Sequence, residues 1–181
     1  RCLGEVGVCF SLAPAHHPAA RHAAAARKSL GFITLFNTIG PLANPAAADR
    51  QLIGTWSQAN ALLMARALAR LGCQHALVCS SRDGLDELTT TDANIVHEVR
   101  GGAVHTREID ARDLGLARRT IPELQAADLP HAVRIAREVL AGRPSAYLDV
   151  SLYNAGAALW VAGAGADLAA GMARAREAVQ S

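Results

Sequence analysis

The stretch Arg50–Leu88, RQLIGTWSQANALLMARALARLGCQHALVCSSRDGLDEL, decides the fold. It opens on an apolar run, RQLIGTW (Arg50–Trp56), which reads as a strand. Ser57 then stands where a helix needs a side-chain oxygen for its unpaired N–H groups. The segment QANALLMARALARL follows with helical spacing, and Gly72 supplies a stop. A second apolar run, HALVCS (His75–Ser80), predicts a buried strand that enters the acidic loop SRDGLDEL. Strand, helix and strand in this order form a βαβ unit and so predict a parallel strand pair.

On the N-terminal side, VGVCF (Val6–Phe10) is a further short apolar run and is expected to be a strand. Pro18 suits the first position of an alanine-rich helix that Gly31 would end. The segment Thr34–Pro45 mixes apolar residues with Asn, Gly and Pro and predicts a structured loop or short helical turns. On the C-terminal side, ANIVHEV and AVHTREI are joined by Gly101–Gly102, which marks a hairpin. Three helices are expected beyond it, over about Pro130–Leu140, Tyr147–Ala162 and Asp167–Val179, with Asp167 as an N-cap. The expected class is α/β: a mainly parallel, mixed sheet flanked by helices, in a single domain over residues 1–181.

Composition narrows the function. Apolar residues make up 51% and charged residues 19%, enough for a sizeable core. A net charge of +2 gives no footprint for a nucleic-acid or membrane partner. No apolar run reaches the ~18 residues of a membrane span, and no signal peptide is visible, so a cytoplasmic location is expected. Cys2, Cys9, Cys73 and Cys79 lack CxxC spacing and read as reduced thiols. The chain opens on Arg1 in what looks like the end of a helix, so a fragment is expected.

Ligands of open α/β sheets bind beyond the carboxyl ends of the strands, which draws attention to three loops. In SRDGLDEL, Asp83, Asp86 and Glu87 crowd together after a strand. Adjacent carboxylates repel unless a cation separates them, and Mg²⁺ prefers such oxygens while bridging to phosphates. Gly84 permits a sharp turn just before the pair. The loop APAHHPAARHAAAARK offers His17 before a helix start and Arg27, whose planar fork suits a carboxylate or phosphate. The loop FNTIGPLANP carries Gly40 and Pro41, a rigid backbone that could approach a ligand. Each loop has a plain alternative: a solvated acidic turn, a structural His with a capping Arg, and a simple connection.

Taken together, LAPAHHPAARHAAAARKSLGFITLFNTIGPLANP, DGLDEL and LYNAGAALWVAG resemble, in order and spacing, the anthranilate phosphoribosyltransferases. The similarity runs along nearly the whole chain. It implies transfer of the phosphoribosyl group of phosphoribosyl pyrophosphate to the amine of anthranilate, in tryptophan biosynthesis, by a pentosyltransferase. The fold it implies is that of the C-terminal domain of nucleoside phosphorylase and phosphoribosyltransferase-type enzymes. By resemblance, Arg27 pairs with the anthranilate carboxylate, Asp86 and Glu87 hold Mg²⁺, and Pro14, His17 and Gly40 line the anthranilate path.

The departures are specific. The family's glycine-rich GTGGD segment and its Lys-His-Gly-Asn segment do not occur, nor does the helical N-terminal domain through which the full-length protein is expected to form a homodimer. The chain alone is therefore expected to be inactive. Ser80-Ser81 replaces the usual His-Gly before the acidic loop, and Ala20 stands where a bulkier residue is common. Two other readings are a pyrimidine nucleoside phosphorylase and a non-catalytic binding module. The first would need a phosphate site in place of the acidic pair, and the second a basic face.

Overall fold

The structure, a computed structural model, describes residues 1–16, 29–30, 34–44 and 46–181, with residues 13, 14, 35 and 36 described by their backbone. It divides into two compact units, Arg1–Ala48 and Asp49–Ser181.

In the first unit, α1 (Cys2–Val6) ends at Gly7, whose φ of 74° lets its N–H return to the Leu3 carbonyl at 3.1 Å. The strand expected over Val6–Phe10 is not formed. Val6 closes α1, while Val8 and Phe10 are 69% and 88% exposed. An apolar run becomes a strand only where a neighbour completes its ladder, and no described residue does so here. A short helix, α2 (Ala13–His16), follows. The helix expected after Pro18 lies outside the described residues, apart from the helical Ser29 and Leu30. Thr34–Pro45 contains a true helix, α3 (Leu35–Leu42). The Thr34 N–H donates to Asn37 Oδ1 at 3.1 Å, which starts it, and Pro41 falls in its last turn.

The second unit holds a mixed sheet with strand order β1 (Arg50–Gly54), β2 (His75–Ser81), β3 (Asn94–Arg100), β4 (Ala103–Ile109). The pair β1–β2 is parallel, joined by α4 (Gln58–Arg70), as the βαβ reading requires. Ser57 Oγ accepts from the Asn60 N–H at the start of α4. The pairs β2–β3 and β3–β4 are antiparallel, so the parallel part of the described sheet is one pair. Gly101 and Gly102 both adopt positive φ (58° and 81°), the twist a two-residue hairpin needs.

Every residue of β2 is buried, which is what helices on both faces produce. One face meets Ala61, Met64, Ala65 and Leu68 of α4. The other packs Leu77, Cys79 and Val96 against Tyr153, Ala157 and Trp160 of α6 (Ala146–Val161). Before α6 comes α5 (Leu129–Leu140), and after it α7 (Leu168–Gln180), capped by Asp167 Oδ1 on the Ala170 N–H at 2.8 Å. The helices α6 and α7 cross at Gly156 and Gly171. A Cβ on Gly171 would stand 2.1 Å from the Gly156 carbonyl oxygen, so only glycine allows this approach. At the open edge, β4 is mostly exposed and carries charge, which discourages edge-to-edge pairing.

Candidate functional site

The parallel register sets Gly54 opposite Cys79, so the carboxyl ends of β1 and β2 lie side by side. The Thr55 N–H donates to the Cys79 carbonyl at 2.9 Å, and Cys79 Sγ lies 3.5 Å from the Ile53 carbonyl oxygen. The loop leaving β2 folds back over this end. An ideal Cβ on Gly54 would sit 1.6 Å from the Asp86 carbonyl oxygen and 3.2 Å from the Glu87 nitrogen. The acidic pair therefore crosses the end of β1 in backbone contact with Gly54.

Of the three loop acids, Asp83 is committed to the turn. Its carboxylate accepts from the Ser81 and Thr91 hydroxyls, and its own N–H donates to Ser81 Oγ at 3.3 Å. Burial pushes its carboxyl up. The hydroxyl donors and the loop N–H groups outweigh that and hold it below the usual carboxylate range. The Ser81 N–H to Leu85 carbonyl bond (3.0 Å) and the Arg82 N–H to Ala93 carbonyl bond (3.0 Å) tighten the same turn. Ser81 thus braces the loop, whereas Ser80 is buried and its hydroxyl has no partner among the described residues.

Asp86 and Glu87 differ from Asp83. Both are exposed, and among the described residues neither carboxylate has a cation or hydrogen-bond donor. Partial desolvation of its carboxyl against the loop, and then the Asp86 charge, push Glu87 above its ordinary value. The field reaches inward: burial first, then Glu87 and Asp86, pushes the Cys79 thiol up to about 12. Two hard oxygen donors side by side with uncompensated charge fit a divalent cation that keeps water and phosphate oxygens as its other ligands. No cluster of three or more metal-binding side chains occurs among the described residues, so an all-protein cage is not what this loop offers.

After Glu87 the chain is held by two asparagines. Asn154, on α6, accepts from the Leu88 N–H (3.2 Å) and donates to the Leu88 carbonyl (2.7 Å). Asn94, at the start of β3, treats Thr89 the same way, at 2.8 and 3.0 Å. These asparagines and Gly54 did not emerge from the sequence as site residues. An isolated glycine at a strand end is a known mark of close backbone approach, and a lone asparagine in the apolar stretch LYNAGAALWV was the second available signal.

The other expected site residues belong to the first unit. Gly40 lies in the last turn of α3, and no described atom lies within 4 Å of where its Cβ would be. Pro14 is in α2. Arg27 and His17 lie outside the described residues.

The profile of the glycosyl transferase family, a/b domain, matches residues 1–181. The chain is 44% identical over 181 residues to an anthranilate phosphoribosyltransferase of Methylobacterium sp. (strain 4-46), matching 100% of this chain and 54% of that protein. To that of Rhodospirillum rubrum it is 45% identical, over 52% of the relative. It is similar to the crystal structure of anthranilate phosphoribosyltransferase from Thermus thermophilus, with TM-score 0.89, 36% identity, and coverage of 98% of this chain and 53% of that one. The Saccharomyces cerevisiae enzyme in complex with PRPP and Mg shares the fold, with TM-score 0.79 at 22% identity over 91% of this chain and 48% of that one. The chain thus spans about half the length of the curated relatives it matches.

Proposed function

Because the chain belongs to the glycosyl transferase family, a/b domain, we propose that it is the α/β portion of an anthranilate phosphoribosyltransferase. The full-length protein transfers the phosphoribosyl group of phosphoribosyl pyrophosphate to anthranilate. One observation carries this: two adjacent carboxylates without a described cation partner, at the carboxyl end of the parallel pair β1–β2. Its curated relatives, 44% and 45% identical, carry that activity in their names.

In the reaction the bond from ribose C1 to pyrophosphate breaks and a bond from C1 to the anthranilate nitrogen forms, while the pyrophosphate leaves with the bonding pair and the amine proton passes to solvent. Asp86 and Glu87 would hold Mg²⁺. When bound, the ion supplies charge stabilisation for the departing pyrophosphate. The carboxylates act as ligands, and the aromatic amine needs no strong base. Arg27 pairs with the anthranilate carboxylate and orients the nucleophile, with Pro14, His17 and Gly40 along its path; this contribution is positional. Gly54 keeps Asp86 over the strand end.

The family profile's span over residues 1–181 supports reading the chain as one α/β domain; that the full-length protein is a homodimer, formed through a helical N-terminal domain, rests on the family resemblance alone. No described helix is long and apolar enough to cross a membrane.

The test is loss of anthranilate fluorescence when the full-length protein meets anthranilate, phosphoribosyl pyrophosphate and Mg²⁺. Arg27→Ala should raise KM for anthranilate more than it lowers kcat. No consumption by the wild-type protein would sink the assignment.

A further inference from the structure

We propose that Asn154 is a positioning residue for the acidic pair, tying α6 to the residue that follows Glu87. This rests on the metal-holding role read for Asp86 and Glu87 above. A single side chain makes both bonds to Leu88. Oδ1 takes the Leu88 N–H and Nδ2 gives to the Leu88 carbonyl, at 3.2 and 2.7 Å, so one amide satisfies both polar groups of one residue. A second Nδ2 hydrogen, donated to the Val150 carbonyl at 2.9 Å, fixes the amide's own orientation one turn back on α6.

Leu88 has no alternative partner in water. It is fully buried, in the same apolar cluster as Tyr153 and Ala157 of α6. Asn94 repeats the bracket on Thr89, and Gly54 meets the chain at Asp86. The acidic dipeptide is therefore fixed at its own peptide link by the contact with Gly54 and just after it by two amide brackets. Of these holds, Asn154 is the one on a helix distant in sequence, packed against the sheet face that carries Cys79. Loop acids that must present oxygens to a cation lose affinity when their supporting hydrogen bonds go, typically by ~10–100-fold.

The experiment uses the full-length protein with Asn154→Leu and Asn154→Asp. Asn154→Asp keeps an acceptor for the Leu88 N–H but removes both donated bonds, to the Leu88 and Val150 carbonyls, and adds a negative charge. Three quantities are read: the Mg²⁺ concentration for half-maximal rate, KM for anthranilate, and amide hydrogen exchange of residues 82–93. Binding of Mn²⁺ in the presence of phosphoribosyl pyrophosphate, followed by electron paramagnetic resonance, checks the first without turnover.

Asn154→Leu is expected to raise the Mg²⁺ requirement and the Mn²⁺ dissociation constant by about tenfold. It should speed exchange over 82–93 and leave KM for anthranilate within about twofold of wild type. Combined with Asp86→Asn and Glu87→Gln, it should weaken metal binding no further. Faster exchange with wild-type metal dependence would make Asn154 a purely structural residue and overturn the proposal, as would failure of both variants to fold. Unaltered metal dependence in Asp86→Asn/Glu87→Gln would instead overturn the functional reading itself, and the positioning role with it.

Discussion

Gly54 lies directly against the Asp86 carbonyl: a methyl group in its place would stand 1.6 Å from that oxygen. The obstacle is backbone, which cannot swing aside as a flexible side chain would. Gly54→Ala must therefore push the acidic loop off the end of β1. Overpacking of this kind costs about 1–3 kcal/mol of stability. Chemical denaturation should show a loss in that range, and steady-state kinetics should show kcat reduced more than the stability loss alone explains. A stable Gly54→Ala protein with wild-type kcat would mean that the loop position is unimportant.

The crossing of α6 and α7 gives a prediction for a place away from the acidic pair. Gly171→Ala would put a Cβ 2.1 Å from the Gly156 carbonyl oxygen. The two helices must separate, again at about 1–3 kcal/mol. Thermal unfolding should fall by several degrees, while the Mg²⁺ concentration for half-maximal rate stays near wild type.

Acid stability should depend on Asp110. Its carboxylate takes hydrogen bonds from the Arg112 side chain and N–H, with Arg118 also close, and its pKa is lowered from 3.8 to about 2. A folded-state pKa below the unfolded one stabilises the protein above the unfolded value. That contribution is lost as pH falls from about 4 towards 2. Asp110→Asn should therefore lower stability at pH 7 and flatten its dependence between pH 4 and 2. An unchanged acid limb would contradict the ion-pair account.

Cys79 makes a labelling prediction. Burial, reinforced by Glu87 and Asp86, pushes its thiol up to about 12, while burial also raises Cys73. At pH 8 both stay protonated in the folded protein and enclosed, so alkylation mapped by peptide mass spectrometry should miss them until denaturant is added. The sign for stability is opposite to that of Asp110: a raised thiol pKa favours the fold below about pH 9 and loses that advantage as pH climbs towards 12.

The βαβ unit was legible because its signals agree: Ser57 caps, Gly72 stops, and β2 is an apolar run buried on both faces. The hairpin was equally plain from Gly101–Gly102. Val6–Phe10 misled because periodicity reports burial and cannot report whether a partner strand exists. In the candidate site, the acids were legible as a cluster, but not the division of labour among them. Asp83 is set apart by two hydroxyls, Ser81 and Thr91, the second eight residues away. Asn154 reaches Leu88 across 66 positions of sequence, and only the packing of α6 on the sheet brings them together.

The most direct test of the acidic pair is the initial rate of anthranilate consumption by the full-length protein as Mg²⁺ is varied, for wild type and for Asp86→Asn/Glu87→Gln. A saturable Mg²⁺ dependence in the wild type is expected, with the variant slower by at least about 100-fold, the scale of losing one well-placed electrostatic group, and needing far more Mg²⁺. Superimposable curves for the two proteins would contradict it.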